Sequence, residues 1–226
     1  MVMLSVVVPT LDEAHGLPLT LAAARQPGVV EVIVVDGGSH DGTVAVARSL
    51  ADRVLEAPRG RAQQMNAGAA AARGDVLLFL HADTQLPARY PAVVTHALLD
   101  PGAVGGRFDV RLDAVGLAYR LIERGINLRS RISGVATGDQ AIFARRSVFE
   151  RLGGYPPLPL MEDIALCRAL KRAGRMVPVR AAVVTSARRW ERHGVARTVL
   201  LMWGLRAAYY IGVSPARLAR VYADAK

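Results

Sequence analysis

Along the first hundred residues, unbroken apolar runs alternate with helical stretches, and each run ends in polar residues. Residues 4–8, 29–35 and 76–80 are short and rich in Val, Leu and Ile, as strands covered on both faces are. Helical stretches at 17–24, 44–51 and 63–72 separate them, with a brief strand around Val54 and Leu55. With right-handed crossovers, this order predicts a Rossmann-like half with 76–80 in the middle of a parallel sheet. Further on, 87–99 and 162–173 read as helices and 141–144 and 177–185 as strands, while 105–112 alternates like a strand exposed on one face. Residues 116–131 are amphipathic, with Arg120, Glu123, Arg124, Asn127 and Arg131 opposite Val115, Tyr119, Ile122 and Ile126. Residues 195–213 are apolar nearly all round, and Ser214-Pro215 opens a last short helix. No repeat or linker interrupts the chain, which predicts one compact α/β domain over 1–226.

Charge narrows the range of partners. The 226 residues carry 29 Lys+Arg against 19 Asp+Glu, a formal net charge of +10, and Lys occurs only at 171 and 226. High-GC coding could account for Arg in place of Lys, but not for the positive sign. The surface favours phosphorylated small molecules, anionic lipid or nucleic acid. Aromatic residues are only 5% and form no stacking motif, so no nucleic-acid partner is expected. Cys167 is the only cysteine, which rules out an internal disulfide and a Cys-based metal site. The amino terminus has no basic leader, and no uncharged apolar stretch reaches the roughly 18 residues of a spanning helix. The expectation is a cytoplasmic protein that could rest at the inner face of the membrane. The Arg120/Arg124/Arg131 face reads as a solvated helix surface or, more sharply, as a contact for anionic head groups aided by Trp203, Tyr209 and Tyr210. The apolar tail fits a packed core helix or the interface of a homodimer equally well.

Three successive strands finish in chemistry. Thr10 is followed by Asp12 and Glu13, Asp36 by Gly38 and Ser39, and the central strand by His81, Asp83 and Thr84. A helix cap or turn explains any one of these, and the set less well. In open α/β sheets the carboxyl ends of strands line the ligand crevice. Neither a P-loop nor a dinucleotide fingerprint is present. Glu162-Asp163 taken alone reads as an acidic first turn set against the helix dipole.

These segments resemble a family 2 glycosyltransferase of the GT-A fold. The resemblance is carried by Val6–Glu13 (VVVPTLDE), residues 34–43 (VVDGGSHDGT), Gly60-Arg61 through Gly68, Arg73-Gly74-Asp75, residues 80–84 (LHADT) and Met161-Glu162-Asp163. It runs in register from about residue 4 to 190. It implies a nucleotide-binding half (1–100), an acceptor and catalytic half (101–190) and a helical tail (191–226). It also implies a UDP- or GDP-sugar donor and an acceptor that is lipid-linked or a small molecule. Pro9, Thr10, Glu13, Asp36 and Gly38 would hold the nucleoside, and Arg61, His81, Ala82 and Asp83 the diphosphate side. Asp83, with or without His81, would bind Mn2+ or Mg2+. Asp163 would be the catalytic base of an inverting transfer, with Glu162 beside it, and Gln140, Arg189 and Trp190 would face the acceptor or diphosphate.

The chemistry gives those roles a reason. Displacing a nucleoside diphosphate leaves negative charge that a divalent cation can offset, and a carboxylate must take the proton of the acceptor hydroxyl. The sequence also departs from the family pattern. Asp36-Gly37-Gly38-Ser39 lacks one carboxylate of Asp-Asp-Gly-Ser, and His81-Ala82-Asp83 lacks another of Asp-x-Asp. Histidine suits Mn2+ better than Mg2+. Ser186 stands where processive members have Gln in Gln-x-x-Arg-Trp, which argues against polymerisation. His81-Ala-Asp-Thr, Gly138-Asp139-Gln140 and residues 189–194 look like a bacterial subgroup labelled as arsenosugar-biosynthesis glycosyltransferases. Two alternatives remain: a nucleotide-sugar-binding relative that has lost catalysis, and a sugar-phosphate nucleotidyltransferase. The acidic loop after the first strand disfavours the second.

Overall fold

The computed structural model describes residues 2–224. Its first half alternates strand and helix: β1 (Leu4–Thr10), α1 (Leu17–Ala24), β2 (Val29–Asp36), α2 (Thr43–Leu50), β3 (Arg53–Glu56), α3 (Arg61–Ala71) and β4 (Val76–Phe79). β5 (Thr84–Gln85), α4 (Tyr90–Ala97), β6 (Ala103–Leu112) and α5 (Leu117–Ser133) follow. After a 3-10 turn at Gly138–Gln140 come β7 (Phe143–Arg145), α6 (Arg146–Arg151), α7 (Glu162–Ala173) and β8 (Arg175–Thr185). Three helices close the chain: α8 (Arg188–His193), α9 (Val195–Tyr210) and α10 (Pro215–Asp224).

The strands form one eight-stranded sheet in the order β3-β2-β1-β4-β7-β6-β8-β5. β1, β2, β3 and β4 are mutually parallel. β4 therefore has a parallel neighbour on one side only, because β7 joins its other edge antiparallel. This corrects the expectation of a central strand within a parallel sheet. A three-residue strand returning over the acceptor half needs no crossover, so it can pair antiparallel. Two apolar layers sandwich the sheet. One is built on Leu4, Val6, Val8, Leu78 and Phe108, and the other on Val7, Ile33, Leu77, Phe79 and Ile142. Alternate residues of β1 and β4 thus serve opposite layers, which is why these strands read as continuous apolar runs.

Two further expectations are overturned. β6 is not exposed on one face; every residue but Arg111 is buried. Its polar Arg107 and Asp109 are buried as a bonded ion pair, to which Arg131 adds a second cation. The face of α5 expected to be solvated is also partly packed inward: Arg124 is exposed, but Glu123 is buried and Arg120, Asn127 and Arg131 are half-buried, as are Tyr119, Ile122 and Ile126 of the opposite side. Glu123 Oε1 accepts from Leu112 N at 2.7 Å, and Asn127 bonds both the N–H and the carbonyl of Val110, at 2.9 and 3.0 Å. β7 pairs with β6 only at Gly105 and Gly106, so those backbone groups face a free edge that polar side chains must satisfy. Leu117, Leu121, Leu128 and Ile132 face outward instead, between 57% and 78% exposed. In α9, only Thr198 and Leu205 are fully buried, while Leu200, Trp203 and Tyr210 are exposed; it is not a packed core helix.

Candidate active site

The carboxyl ends of β1, β2 and β4 open on one side of the sheet, as the strand order requires. Thr10 and Asp36 are register partners, and Thr10 Oγ1 donates to Asp36 Oδ1 at 3.2 Å. Asp36 Oδ2 accepts from Gly38 N at 2.9 Å and Ser39 N at 2.8 Å, and Ser39 Oγ donates to Oδ1. Burial alone would raise the pKa of Asp36, but these bonds, led by Ser39, hold its carboxyl below the usual range. Gly38 turns with φ +91°, a conformation that favours glycine. Asp12 ties this loop to the first: its N–H donates to Ser39 Oγ at 2.9 Å and its Oδ1 accepts from His40 N at 2.8 Å. Beneath them Gln64 of α3, given no role in the sequence reading, donates to the carbonyls of Thr10 and Val35, both at 2.8 Å. Pro9 and Thr10 are buried, so what this corner offers a ligand is the rim formed by Glu13, Gly38 and the loops.

After β4, the chain turns through His81, Ala82 and Asp83, pinned by Thr20 Oγ1 on the Ala82 carbonyl at 2.8 Å. Burial first, and then the charge of Arg61, push the His81 imidazole down to about 4, so it is neutral at physiological pH. Arg61 opens α3, exposed, and acts on Glu162 as well as on His81. Asp83 is held by a residue that the sequence did not single out. Arg188 Nη2 lies 3.1 Å from Asp83 Oδ2 and also bonds Glu13 Oε1, while Glu13 Oε2 is buried without a partner. The motif match drew attention to Arg189 and Trp190, one and two positions on. Arg189 acts on His81 and lies over the Tyr222 ring at 5.1 Å, and Trp190 is half-buried.

The other wall is the start of α7. Met161 adopts φ +69°, a rare conformation for a residue with a side chain, and aims Glu162 and Asp163 inward. Asp163 Oδ1 accepts from Ile164 N at 2.7 Å and Oδ2 from Gly138 N at 2.9 Å. Gly138 in turn lies against His81: a Cβ placed there would be 2.3 Å from His81 Nε2. One glycine thus joins the end of β4 to Asp163. Burial first, then the neighbouring Asp163 charge, raise Glu162 to about 7. Burial also raises Asp163, against the bonds from Gly138 and Ile164. Gln140, expected to face the acceptor, is fully buried instead. Its amide donates to Ser130 Oγ at 3.0 Å and Phe108 O at 3.3 Å and accepts from Thr137 N, so it shapes the turn that presents Gly138.

Among the described residues, no group of three or more His, Cys, Asp or Glu side chains could hold a metal alone. The available donors are one carboxylate, Asp83, and one neutral imidazole, His81. Mg2+ and its analogues commonly take one or two protein ligands and complete their shell with substrate phosphate and water, and this donor set fits that arrangement.

The curled, mostly parallel eight-stranded sheet flanked by helices is that of a GT-A fold. The glycosyl transferase family 2 profile matches residues 5–153, and the chain belongs to that family. It is 32% identical over 168 residues to an undecaprenyl-phosphate 4-deoxy-4-formamido-L-arabinose transferase of Pseudomonas paraeruginosa, covering 66% of this chain and 49% of the relative. It is 40% identical over 93 residues to a PGL/p-HBAD biosynthesis glycosyltransferase of Mycobacterium bovis, covering 37% and 36%. The chain thus spans half or less of the length of these relatives. Among solved structures, a Pyrobaculum calidifontis mannosyltransferase in complex with GDP-Man and Mn2+ superposes with TM-score 0.67 at 24% identity, over 91% of this chain and 60% of that one. The Mycobacterium tuberculosis glucosyl-3-phosphoglycerate synthase, with Mn2+, UDP and phosphoglyceric acid, gives 0.59 at 21%, over 80% and 69%. These findings carry the family and the fold, not the narrower arsenosugar subgroup.

Proposed function

We propose that this chain transfers a sugar from a nucleoside-diphosphate donor to an acceptor hydroxyl with inversion, Asp163 taking the hydroxyl proton. The observation that supports this reading is the Gly138 junction, where one glycine lies against His81 and donates its N–H to Asp163, so the candidate metal-side residue and the candidate base are neighbours. The nucleoside would lie against the loops after β1 and β2, bounded by Pro9, Thr10, Glu13, Asp36 and Gly38. The diphosphate would point toward Arg61, His81, Ala82 and Asp83, with Arg189 and Trp190 nearby. Asp83 and His81 would hold Mn2+ or Mg2+, which when bound would offset charge on the departing diphosphate. Glu162, raised to about 7, spares Asp163 a second full negative charge at its side.

The deciding measurement is release of nucleoside diphosphate from UDP- and GDP-sugars in Mn2+. Asp163→Asn should lower turnover by about 10²–10⁴-fold while nucleotide affinity is retained. Unchanged turnover would remove Asp163 from the mechanism. Nucleotide binding with no turnover in the parent chain would instead favour a relative that has lost catalysis.

A second reading, peripheral contact with anionic lipid, draws support from the outward apolar side of α5 and the exposed Leu200, Trp203 and Tyr210 of α9. Between Glu191 and Asp224 the chain has no acidic residue, whereas Arg192, Arg197, Arg206, Arg217 and Arg220 lie there. Co-sedimentation with phosphatidylglycerol vesicles, but not with phosphatidylcholine alone, is the expected result. A dimer in light scattering with no vesicle binding would assign these faces to a homodimer. No helix among the described residues is long and apolar enough to cross a membrane.

A further inference from the structure

Arg129 is a buried cation whose binding edge is unused. Arg129 Nη1 donates to the Val135 carbonyl at 3.1 Å, which fixes the guanidinium plane. Nε and Nη2, which together form one side of that plane, are both buried and have no hydrogen-bond partner. That side is the fork that gives two parallel hydrogen bonds to a carboxylate or phosphate. Arg107 shows the same free edge, but its charge is bonded directly to Asp109. Arg129 has no bonded counter-ion. The charges acting on it are Arg206 from α9, which adds to its positive field, and Asp139 and Asp163. Burial first, then Arg206, bring Arg129 down to about 10, so it stays a cation at neutral pH.

Its place next to the base is set by the Gly138 turn. Gly138 N is bonded to Asp163, and the next residue, Asp139, has a buried Oδ1 without a partner. Arg206 of α9 acts on Asp163 as well as on Arg129, and Asp163 acts on Arg129 in turn, so the cations of α5 and α9 share the field of that carboxylate. A buried charged fork left unpaired costs more than a neutral donor, and a ligand that supplies two oxygens removes that cost.

Building on the transfer reading above, we propose that Arg129, reinforced by Arg206, binds an oxyanion, phosphate or carboxylate, on the acceptor. Asp139 Oδ1 accepts from a hydroxyl of the same molecule. The acceptor class is therefore a hydroxyl-bearing anion rather than a neutral sugar or alcohol. The source is either a soluble phosphate ester or a lipid head group presented at the outward apolar faces of α5 and α9.

Calorimetric titration of the full chain with inorganic phosphate, sn-glycerol 3-phosphate and glycerol tests this, with and without UDP or GDP. A parallel arm uses phosphatidylcholine vesicles with and without phosphatidylglycerol, whose head group carries both a phosphate and free hydroxyls. Glycerol 3-phosphate should bind at least about tenfold more tightly than glycerol, and Arg129→Gln should abolish that preference while nucleotide affinity holds. Arg129→Lys, which keeps the charge but not the fork, should recover only part of it; retained melting temperatures show that either variant is folded. Preference seen only with phosphatidylglycerol vesicles assigns the lipid source, and preference with the soluble ester the other. No preference over glycerol, or a preference that both Arg129 variants leave intact, overturns the proposal. If nucleotides fail to bind, the transfer reading falls, and the nucleotide-free titration still decides the oxyanion site.

Discussion

Arg188 pairs with Asp83, so an ion bound by that carboxylate would compete with its guanidinium. The same guanidinium bridges Glu13 and Asp83. Arg188→Gln should leave these two anions facing each other, and the nucleotide-free chain should bind Mn2+ more tightly, by about threefold to tenfold. Titration followed by electron paramagnetic resonance would check this, and unchanged or weaker affinity would show that Asp83 is not a ligand. Glu162 offers a second test. Its folded pKa, about 7, lies above its ordinary 4.5. The folded state therefore holds the proton more tightly than the unfolded one. Its contribution to stability is full below about 4.5 and is lost as pH rises through 7. Glu162→Gln should flatten the stability profile over that window and make the protein more stable above pH 7, as urea melts at pH 5 and 8 would show. A parallel shift at both pH values would contradict it.

At the scale of elements, α5 shows how tertiary context overrides an amphipathic pattern. A helix beside a free strand edge gains more from satisfying backbone groups than from burying leucines. Asn127→Ala leaves the Val110 N–H and carbonyl without partners and should cost about 1–3 kcal/mol in chemical denaturation. Leu121→Ser and Leu128→Ser, both at exposed positions, should by contrast stay within about 0.5 kcal/mol. α3 shows the opposite case, in which helix and sheet meet through a glycine. A Cβ on Gly68 would be 2.4 Å from Val7 Cγ1 and 3.0 Å from Val35 Cγ2. Gly68→Ala should therefore destabilise by about 1–3 kcal/mol, despite alanine's better helix propensity, because β1 and β2 lie directly beneath. A neutral Gly68→Ala would mean that α3 can lift off the sheet without loss.

Over the whole molecule, the positive charge and the apolar faces of α5 and α9 predict vesicle association that weakens with salt. Raising NaCl from 0.05 to 0.5 M, about a threefold cut in Debye length, should release most of the bound protein. Binding that ignores salt would point to apolar contact alone.

The sequence by itself determined most of the elements and the polar groups that end them. The apolar runs of β1, β2 and β4, the polar residues at their ends and the acidic start of α7 are local features, written in consecutive residues and the two backbone periods. They put Asp36 at the end of a strand, Asp83 after one and Asp163 in the first turn of a helix, and motif resemblance placed the family. Only the tertiary structure decided which of these groups meet, because their meeting depends on residues far apart in sequence. Gly138 brings the end of β4 to Asp163, Arg188 closes on Glu13 and Asp83 from 105 or more positions away, Gln140 turns inward, and α5 faces its polar side to the β6 edge. No local pattern encodes an unpaired strand edge or a glycine that two distant loops share. Both arise only when the sheet order is fixed, and that order is set by which surfaces can be buried together.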